Sequence, residues 1–335
     1  MAVSIETLIS RWSPRLQKAF LDSVANLRNT AQVDQIVKML QAGDVNGAIE
    51  AVGLNPVAFR PFDLALTNAF EAAGVSTGGV VPTAVAANGL KTVFQFNIRN
   101  PAAEAWLREY SSTLVTDILG DQRNMIQQTL TRGLERGLNP RTTALDLVGR
   151  IGKSGNREGG LIGLTNSQEA WVSNYADELG SSNPTQALTR TLRDARFDPS
   201  VIAAERNGVP LEQNAIDNMV TAYRNRALRY RAENIARTET MTSLHEAQQQ
   251  SIEQAVADGV VDQTAVTFVW RTAEDDRVRD SHVFMDGQEV QMGQMFVTGD
   301  GNLLEYPGDP SGPPEEIINC RCFREPLIDF LASAL

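Results

Sequence analysis

The residues best suited to chemistry crowd into the last third of the chain. Both cysteines lie in the run Ile318-Asn319-Cys320-Arg321-Cys322, and one of the two histidines ends the run Asp275-Asp276-Arg277-Val278-Arg279-Asp280-Ser281-His282. Two thiolates one residue apart can hold a single metal ion, and His282 supplies a nitrogen as third ligand. His245, Asp280 or a water would complete a tetrahedron, the geometry in which zinc takes nitrogen and sulfur ligands. His282, Cys320 and Cys322 are therefore the candidate metal ligands, and a structural zinc is the one candidate cofactor. The plainer alternative makes the cysteines small buried residues on a terminal strand and has His282 cap a helix, because free cysteine behaves as a small hydrophobe.

Two further readings would make the same residues an enzyme. Cys320 or Cys322 with His282 would form a nucleophile–base pair, with Arg321 lowering the thiol pKa. Asp275, Asp276 and Asp280 beside His282 would form a hydrolytic metal site. Thr272 to His282, however, reads as one short helix with Thr272 as its cap and Asp275 three residues on. On that helix Asp276 and Asp280 are four apart, as are Asp275 and Arg279, the spacing of ordinary surface charges. No catalytic residue is assigned, and the chain reads as a non-enzyme. Tyr306-Pro307-Gly308-Asp309-Pro310 is a turn of fixed and permissive backbone angles. Asp309 and Asn319 are placed to accept backbone hydrogen bonds. Such a loop folds to one shape and offers backbone groups and Arg321 to a partner. Gly152-Lys153-Ser154 does not make a phosphate loop, because that pattern needs a glycine at 147, where the chain has Leu147, and a buried strand before it.

These motifs must be carried by a framework, and composition bounds it. The chain has 335 residues, 42% hydrophobic and 21% charged, which suits two domains or one large one. No apolar run approaches the roughly 20 residues of a membrane span. The first ten residues lack the basic start and apolar core of a signal peptide. Two cysteines in an i, i+2 pair cannot staple a fold, which points to a reducing compartment. The net charge of −11 disfavours direct DNA binding by the chain as a whole. Arginines 190, 193, 196, 206, 224, 226, 229, 231 and 237 cluster centrally. They read as helix-surface residues paired with Asp194, Asp198, Glu205 and Glu233 rather than as a basic face.

Periodicity sets the elements. Leu16, Phe20, Val24 and Leu27, then Val33, Ile36, Val37 and Leu40, recur at helical spacing. Asp63 is expected to cap a helix through Ala73, and Gly74 to Gly89 to be a loop. Thr92 to Ile98 reads as a short strand or an extended connector. Asn100-Pro101, Asn139-Pro140, Thr165 and Asn183-Pro184 each open a helix. Residues 151–163 form a glycine-rich loop. Leu211 to Gly259 is helical, as two helices or one bent one. Val266 to Trp270 is a strand, Asp286-Gly287 a hairpin turn, and Phe296 to Tyr306 a second hairpin. The fold class is mainly α with a small C-terminal α+β domain: an elongated helical body and a compact, hairpin-rich cap. The regions are 1–99, helical with a glycine-rich loop and a short extended segment; 100–234, helical; and 235–335, the motif-bearing domain.

The order T-x-x-D-x-R-x-R-x-x-H, D-G-Q, P-G-D-P and N-C-R-C resembles the C-terminal domain of the phage head morphogenesis family, the Mu F-type minor head proteins. The resemblance starts at Ile235-Ala236-Arg237-Thr238-Glu239. It continues through Trp270, Asp275, Arg277, Arg279, His282, Gly287, Phe296, Pro307 to Pro310 and Asn319 to Cys322. It implies a minor virion protein of a tailed bacteriophage, with the portal protein as partner and the major capsid or scaffolding protein as further contacts. It also implies a place inside the capsid near the portal, reached from the host cytoplasm during assembly, and a role in head assembly, DNA packaging or ejection. The family's distant likeness to ADP-ribosyltransferase folds makes a virion-carried enzyme, transferase-like or a metal-dependent hydrolase using the His/Cys/Asp cluster, the alternative. No transferase glutamate motif is recognisable here.

Overall fold

The computed structural model describes residues 3–81, 84–85, 91–152 and 155–329. Its helices are α1 (Ile5–Thr30), α2 (Val33–Gln41), α3 (Val45–Val52), α4 (Arg60–Gly78), α5 (Pro101–Glu135), α6 (Pro140–Val148), α7 (Asn166–Gly180), α8 (Asp198–Asn207), α9 (Gln213–Ala257), α10 (Asp280–Val283) and α11 (Pro314–Ile317). The strands are short: β1 (Ala84–Val85), β2 (Lys91–Thr92), β3 (Arg150–Ile151), β4 (Arg157–Glu158), β5 (Val266–Arg271), β6 (Glu289–Gln291), β7 (Phe296–Val297), β8 (Leu303–Leu304) and β9 (Phe323–Ile328). The chain is thus mainly α, with one three-stranded sheet among the described residues, in the order β6-β5-β9 and antiparallel throughout, near the C-terminus. The β7–β8 hairpin forms as expected.

Local chemistry explains most helix starts. Asp44 accepts from Gly47 N at 2.8 Å to open α3, and Asn139 accepts from Arg141 N at 2.9 Å to open α6. Thr165 and Gln168 close a reciprocal capping box on α7. Several expectations are corrected. Asp63 caps nothing: α4 already begins at Arg60, after a 3₁₀ turn over Pro56–Phe59, and Asp63 Oδ1 accepts from Ser111 Oγ. Asn183-Pro184 opens a 3₁₀ segment rather than an α-helix. Residues 213–257 are one unbroken helix of 45 residues. Helix α4 runs through Gly74 to Gly78, where a loop was expected. The Phe96 ring lies where a Gly74 side chain would stand, 2.3 Å from an ideal Cβ, and Phe94 covers Gly78. These glycines permit close packing inside a helix instead of ending it. Residues 93–97 connect β2 to the turn before α5 without regular secondary structure, and Phe94 is buried. The remainder of the expected 74–89 loop at 82–83 and 86–90, and Lys153-Ser154 of the rejected phosphate motif, lie outside the described residues.

The chain forms two compact units, neither a contiguous stretch. One comprises Phe20–Pro61 and Thr113–Ala232. Inside it the Arg28 guanidinium is buried and donates to the carbonyls of Gly160 and Ile162, at 2.7 and 2.6 Å. Gln122 bridges Gly163 N and Leu164 O. The central arginines are drawn into ion pairs: Arg190 with Glu178, Arg193 with Asp198, Arg196 and Arg226 with Asp194, Arg224 with Asp146, and Arg231 with Asp121.

The other unit comprises Met1–Ala19, Phe62–Ser112 and Glu233–Leu335. It is organised around the second half of α9, where residues 238–249 are buried without interruption. Many of these side chains are polar, and most find a partner nearby; the Thr240 hydroxyl has none among the described residues. Tyr110 OH donates to Glu239 Oε2 at 2.5 Å, and Tyr306 OH to Glu246 Oε2 at 2.7 Å. Ser251 Oγ donates to Gly74 O at 2.9 Å, and Gln254 pairs with the backbone of Asn97 in both directions. Thr242 Oγ1 donates to Gly308 O at 2.6 Å. That last bond seats the Pro-Gly-Asp-Pro turn directly on the helix. The turn is held internally by Asp309, which accepts from Glu305 N and Ser311 N, each at 2.8 Å.

Gly308 has φ of 85°, and an ideal Cβ there would stand 3.0 Å from Thr242 N and 3.2 Å from Met241 Cβ. Gly308→Ala therefore combines backbone strain with a clash against a rigid helix, and should cost about 1–3 kcal/mol in urea unfolding. Burial pushes the Glu239 carboxyl up to about 7, against the Tyr110 hydrogen bond, from an ordinary 4.5. Between those pH values the folded chain keeps a proton that the unfolded chain has released, so this residue makes stability fall as pH rises. Glu239→Gln should gain on the parent by up to about 3 kcal/mol across that window, read from unfolding curves at several pH values. An unchanged pH profile would show that Glu239 ionises freely.

Candidate functional site

The C-terminal motifs converge around the β6-β5-β9 sheet. Strand β5 is nearly all buried, and Trp270 on it is fully so. The Trp270 ring meets Phe296 edge-on at 5.2 Å and His282 edge-on at 5.4 Å. His282 stands on the four-residue α10, and Cys320 and Cys322 on the extended segment that leads into β9. All three are buried. Nδ1 of His282 lies 3.5 Å from Cys320 Sγ and 3.4 Å from Cys322 Sγ, and the three ligand atoms fall within 4.8 Å of one another. The sequence-predicted trio therefore meets in space.

The surroundings of the trio were not foreseen. Nε2 of His282 faces Glu316 Oε2 at 3.0 Å, an ion-pair contact that is not aligned as a hydrogen bond. Glu316 is itself buried and held by Ser281 Oγ at 2.8 Å and Asn302 Nδ2 at 3.0 Å. Burial alone would raise its carboxyl, but hydrogen bonds from Asn302, Ser281 and Thr298 outweigh this and hold it below the usual range. Nothing in the sequence separates Glu316 from its exposed neighbour Glu315. The two thiols share their protons unequally. A hydrogen bond from Cys322, with the imidazole of His282, draws Cys320 well below the usual thiol value despite burial; Cys322 is correspondingly pushed up.

Other expectations are corrected. Residues 272–279 are not helical, so Thr272 is no cap; its N–H and hydroxyl both donate to Asp286 Oδ1. The i, i+4 pairs expected there do not exist. Asp275 instead takes a bidentate pair from Arg321 and a backbone hydrogen bond from Arg277, which hold its carboxyl well below the carboxylate range. Arg321 is thus engaged by Asp275. Asp280 is exposed, and His245 belongs elsewhere. Its Nδ1 contacts Met241 O at 2.9 Å, and its Nε2 accepts from Arg324 N at 3.1 Å. Burial, then the nearby Arg324 charge, lowers its pKa to about 3, so it stays neutral. Asn319, at φ of 59°, donates its N–H to Thr238 Oγ1, while its Oδ1 is buried without a partner among the described residues. Asp286-Gly287 does not link adjacent strands tightly; Gly287 N reaches back to Trp270 O at 2.9 Å and starts β6 beside β5.

The cysteine segment is aimed by Arg324, another residue without a sequence signal. Its guanidinium is buried and lies 3.9 Å over the Phe268 ring. It donates to Gln248 Oε1 at 3.2 Å, Gln249 Oε1 at 2.9 Å, and the carbonyls of His245 and Glu305, both at 3.3 Å. Arg279 adds a second clamp through the carbonyls of Glu316 and Ile318. Beside Cys320 and Arg321 opens a cleft of about 440 Å³ that Ile9, Pro14, Ala236 and Met241 also line. The arrangement can hold one soft divalent ion, or keep a thiolate beside an imidazole. A hydrolytic carboxylate cluster is not assembled, because Asp275 is turned to Arg321 and Asp280 to solvent.

A family model described as Phage Mu protein F like protein matches residues 124–324. No curated protein and no solved structure matches the chain. The match covers more than half of the sequence: the chain belongs to the Mu F-like family and is a phage head morphogenesis protein.

The anchoring of the cysteine segment can be tested by Arg324→Lys. An ammonium cannot reproduce the forked donors, so buried amide and carbonyl oxygens would lose their partners. The loss should be about 2–4 kcal/mol in denaturant unfolding. A change within a few tenths of a kcal/mol would mean that α9 does not depend on the guanidinium.

Proposed function

We propose that this Mu F-like chain is a minor head protein that docks on the portal during head assembly. It enters the capsid in few copies near the portal and acts in DNA packaging or ejection. The observation that carries this reading is the family match, which runs from the helical region through the NCRC motif. Three features support it. The C-terminal motifs serve mainly to tie loops to α9, as a rigid interaction module requires. The net charge of −11 and the ion-paired central arginines suit a protein that meets other proteins in a DNA-filled head without binding the genome. Among the described residues no helix is long and apolar enough to cross a membrane. Major capsid or scaffolding protein would be the second contact, and assembly would begin in the host cytoplasm. A non-enzymatic role agrees with Asp275 being committed to Arg321 and Asp280 being exposed.

Quantitative mass spectrometry of purified, DNase-treated virions should find a few copies per particle. Full-length chain co-expressed with the portal protein should co-purify with it at a fixed ratio. Absence from mature virions would overturn the internal placement, and failure to co-purify with portal would overturn the docking.

A further inference from the structure

We propose that His282 Nδ1, Cys320 Sγ and Cys322 Sγ bind one zinc ion that clamps the segment before β9 onto α10. The distances suit the ion. Tetrahedral zinc with Zn–S of about 2.3 Å and Zn–N of about 2.0–2.1 Å sets nitrogen and sulfur about 3.5 Å apart. The observed separations are 3.5 and 3.4 Å. The two nitrogen–sulfur separations match two edges of a coordination tetrahedron.

Three independent features agree. The first is Glu316. A metal-bound histidine characteristically turns its second nitrogen to a carboxylate, which fixes the ring and raises its basicity. Here Nδ1 faces the sulfurs and Nε2 faces Glu316, which Ser281 and Asn302 hold in place. The second is charge. Two thiolates neutralise the dication, so the ion and its two sulfur ligands together carry no net charge. The third is Trp270, whose indole N–H faces the Cys322 sulfur. A thiolate there gives it an acceptor. Cys320 also lines the open cleft, which provides the ion a way in. Sulfur and imidazole ligands select zinc over magnesium or calcium. A water completes the tetrahedron.

Full-length protein dialysed against zinc and desalted should retain one zinc per chain by elemental mass spectrometry. Its cobalt(II) form should show the strong visible bands of tetrahedral cobalt and a sulfur-to-cobalt charge-transfer band. Both signals should disappear in the Cys320→Ser/Cys322→Ser double variant. Glu316→Gln should keep the cobalt spectrum but weaken zinc binding roughly 10–100-fold. Parent protein that comes through dialysis without zinc, or whose cobalt form is octahedral with no sulfur band, overturns the site whatever the variants do. Stoichiometric zinc in a folded double variant also overturns it.

Discussion

Burying the second half of α9 on every side makes most of its polar groups find a partner within the protein, the Thr240 hydroxyl being the exception among the described residues. An unpaired buried polar group costs about 1–3 kcal/mol, so a helix with Thr238, Glu239, Thr242, Ser243, His245, Glu246, Gln248 and Gln249 inside cannot be enclosed by an ordinary apolar shell. It needs a shell that supplies hydrogen bonds at set positions. Tyr110, Asn97 and the Gly74 carbonyl come from earlier in the chain; Tyr306, Gly308, Asn319 and Arg324 come from later. Segments far apart in sequence are sorted onto one helix by their donors and acceptors.

The arrangement of the cysteine and histidine side chains follows from this sorting. Arg324 is committed to His245, Gln248 and Gln249, which places the start of β9, and Cys322 and Cys320 follow two and four residues before it. On the opposite side, Arg279 holds the carbonyls of Glu316 and Ile318, while Trp270 packs edge-on against the imidazole. The His/Cys group therefore sits between two clamped segments. An ion there would join what the α9 network has already brought together, and its loss would loosen a local link more than the whole unit.

Much of the central positive charge is taken up by ion pairs. Arginines that look like a basic stripe in the sequence are consumed by acidic neighbours: Asp194 alone takes two of them, and Arg193 closes on Asp198. Buried arginines elsewhere answer backbone carbonyls, as Arg28 does at Gly160 and Ile162. Much of the positive charge is thus structural, and the surplus at the surface is negative.

Local features could be read directly from the order of residues. Helical periodicity at Leu16 to Leu27, the helix starts at Asn139 and Thr165, strand β5, the β7–β8 hairpin and the Asp309 turn were all legible, because each rests on residues a few positions apart. The family was legible as well, since its motifs are ordered along the chain. The trio His282, Cys320 and Cys322 could be named from residue type alone. Only tertiary structure decided which carboxylate stands behind the histidine, that His245 serves Arg324 instead of an ion, and that Gly74 lies inside a helix beneath Phe96. It also decided that residues 272–279 forgo a helix, because Asp275 is bound by Arg321 and Thr272 by Asp286. Such choices are made by hydrogen-bond demand and close packing between segments tens to hundreds of residues apart, and a one-dimensional pattern holds no record of those distances.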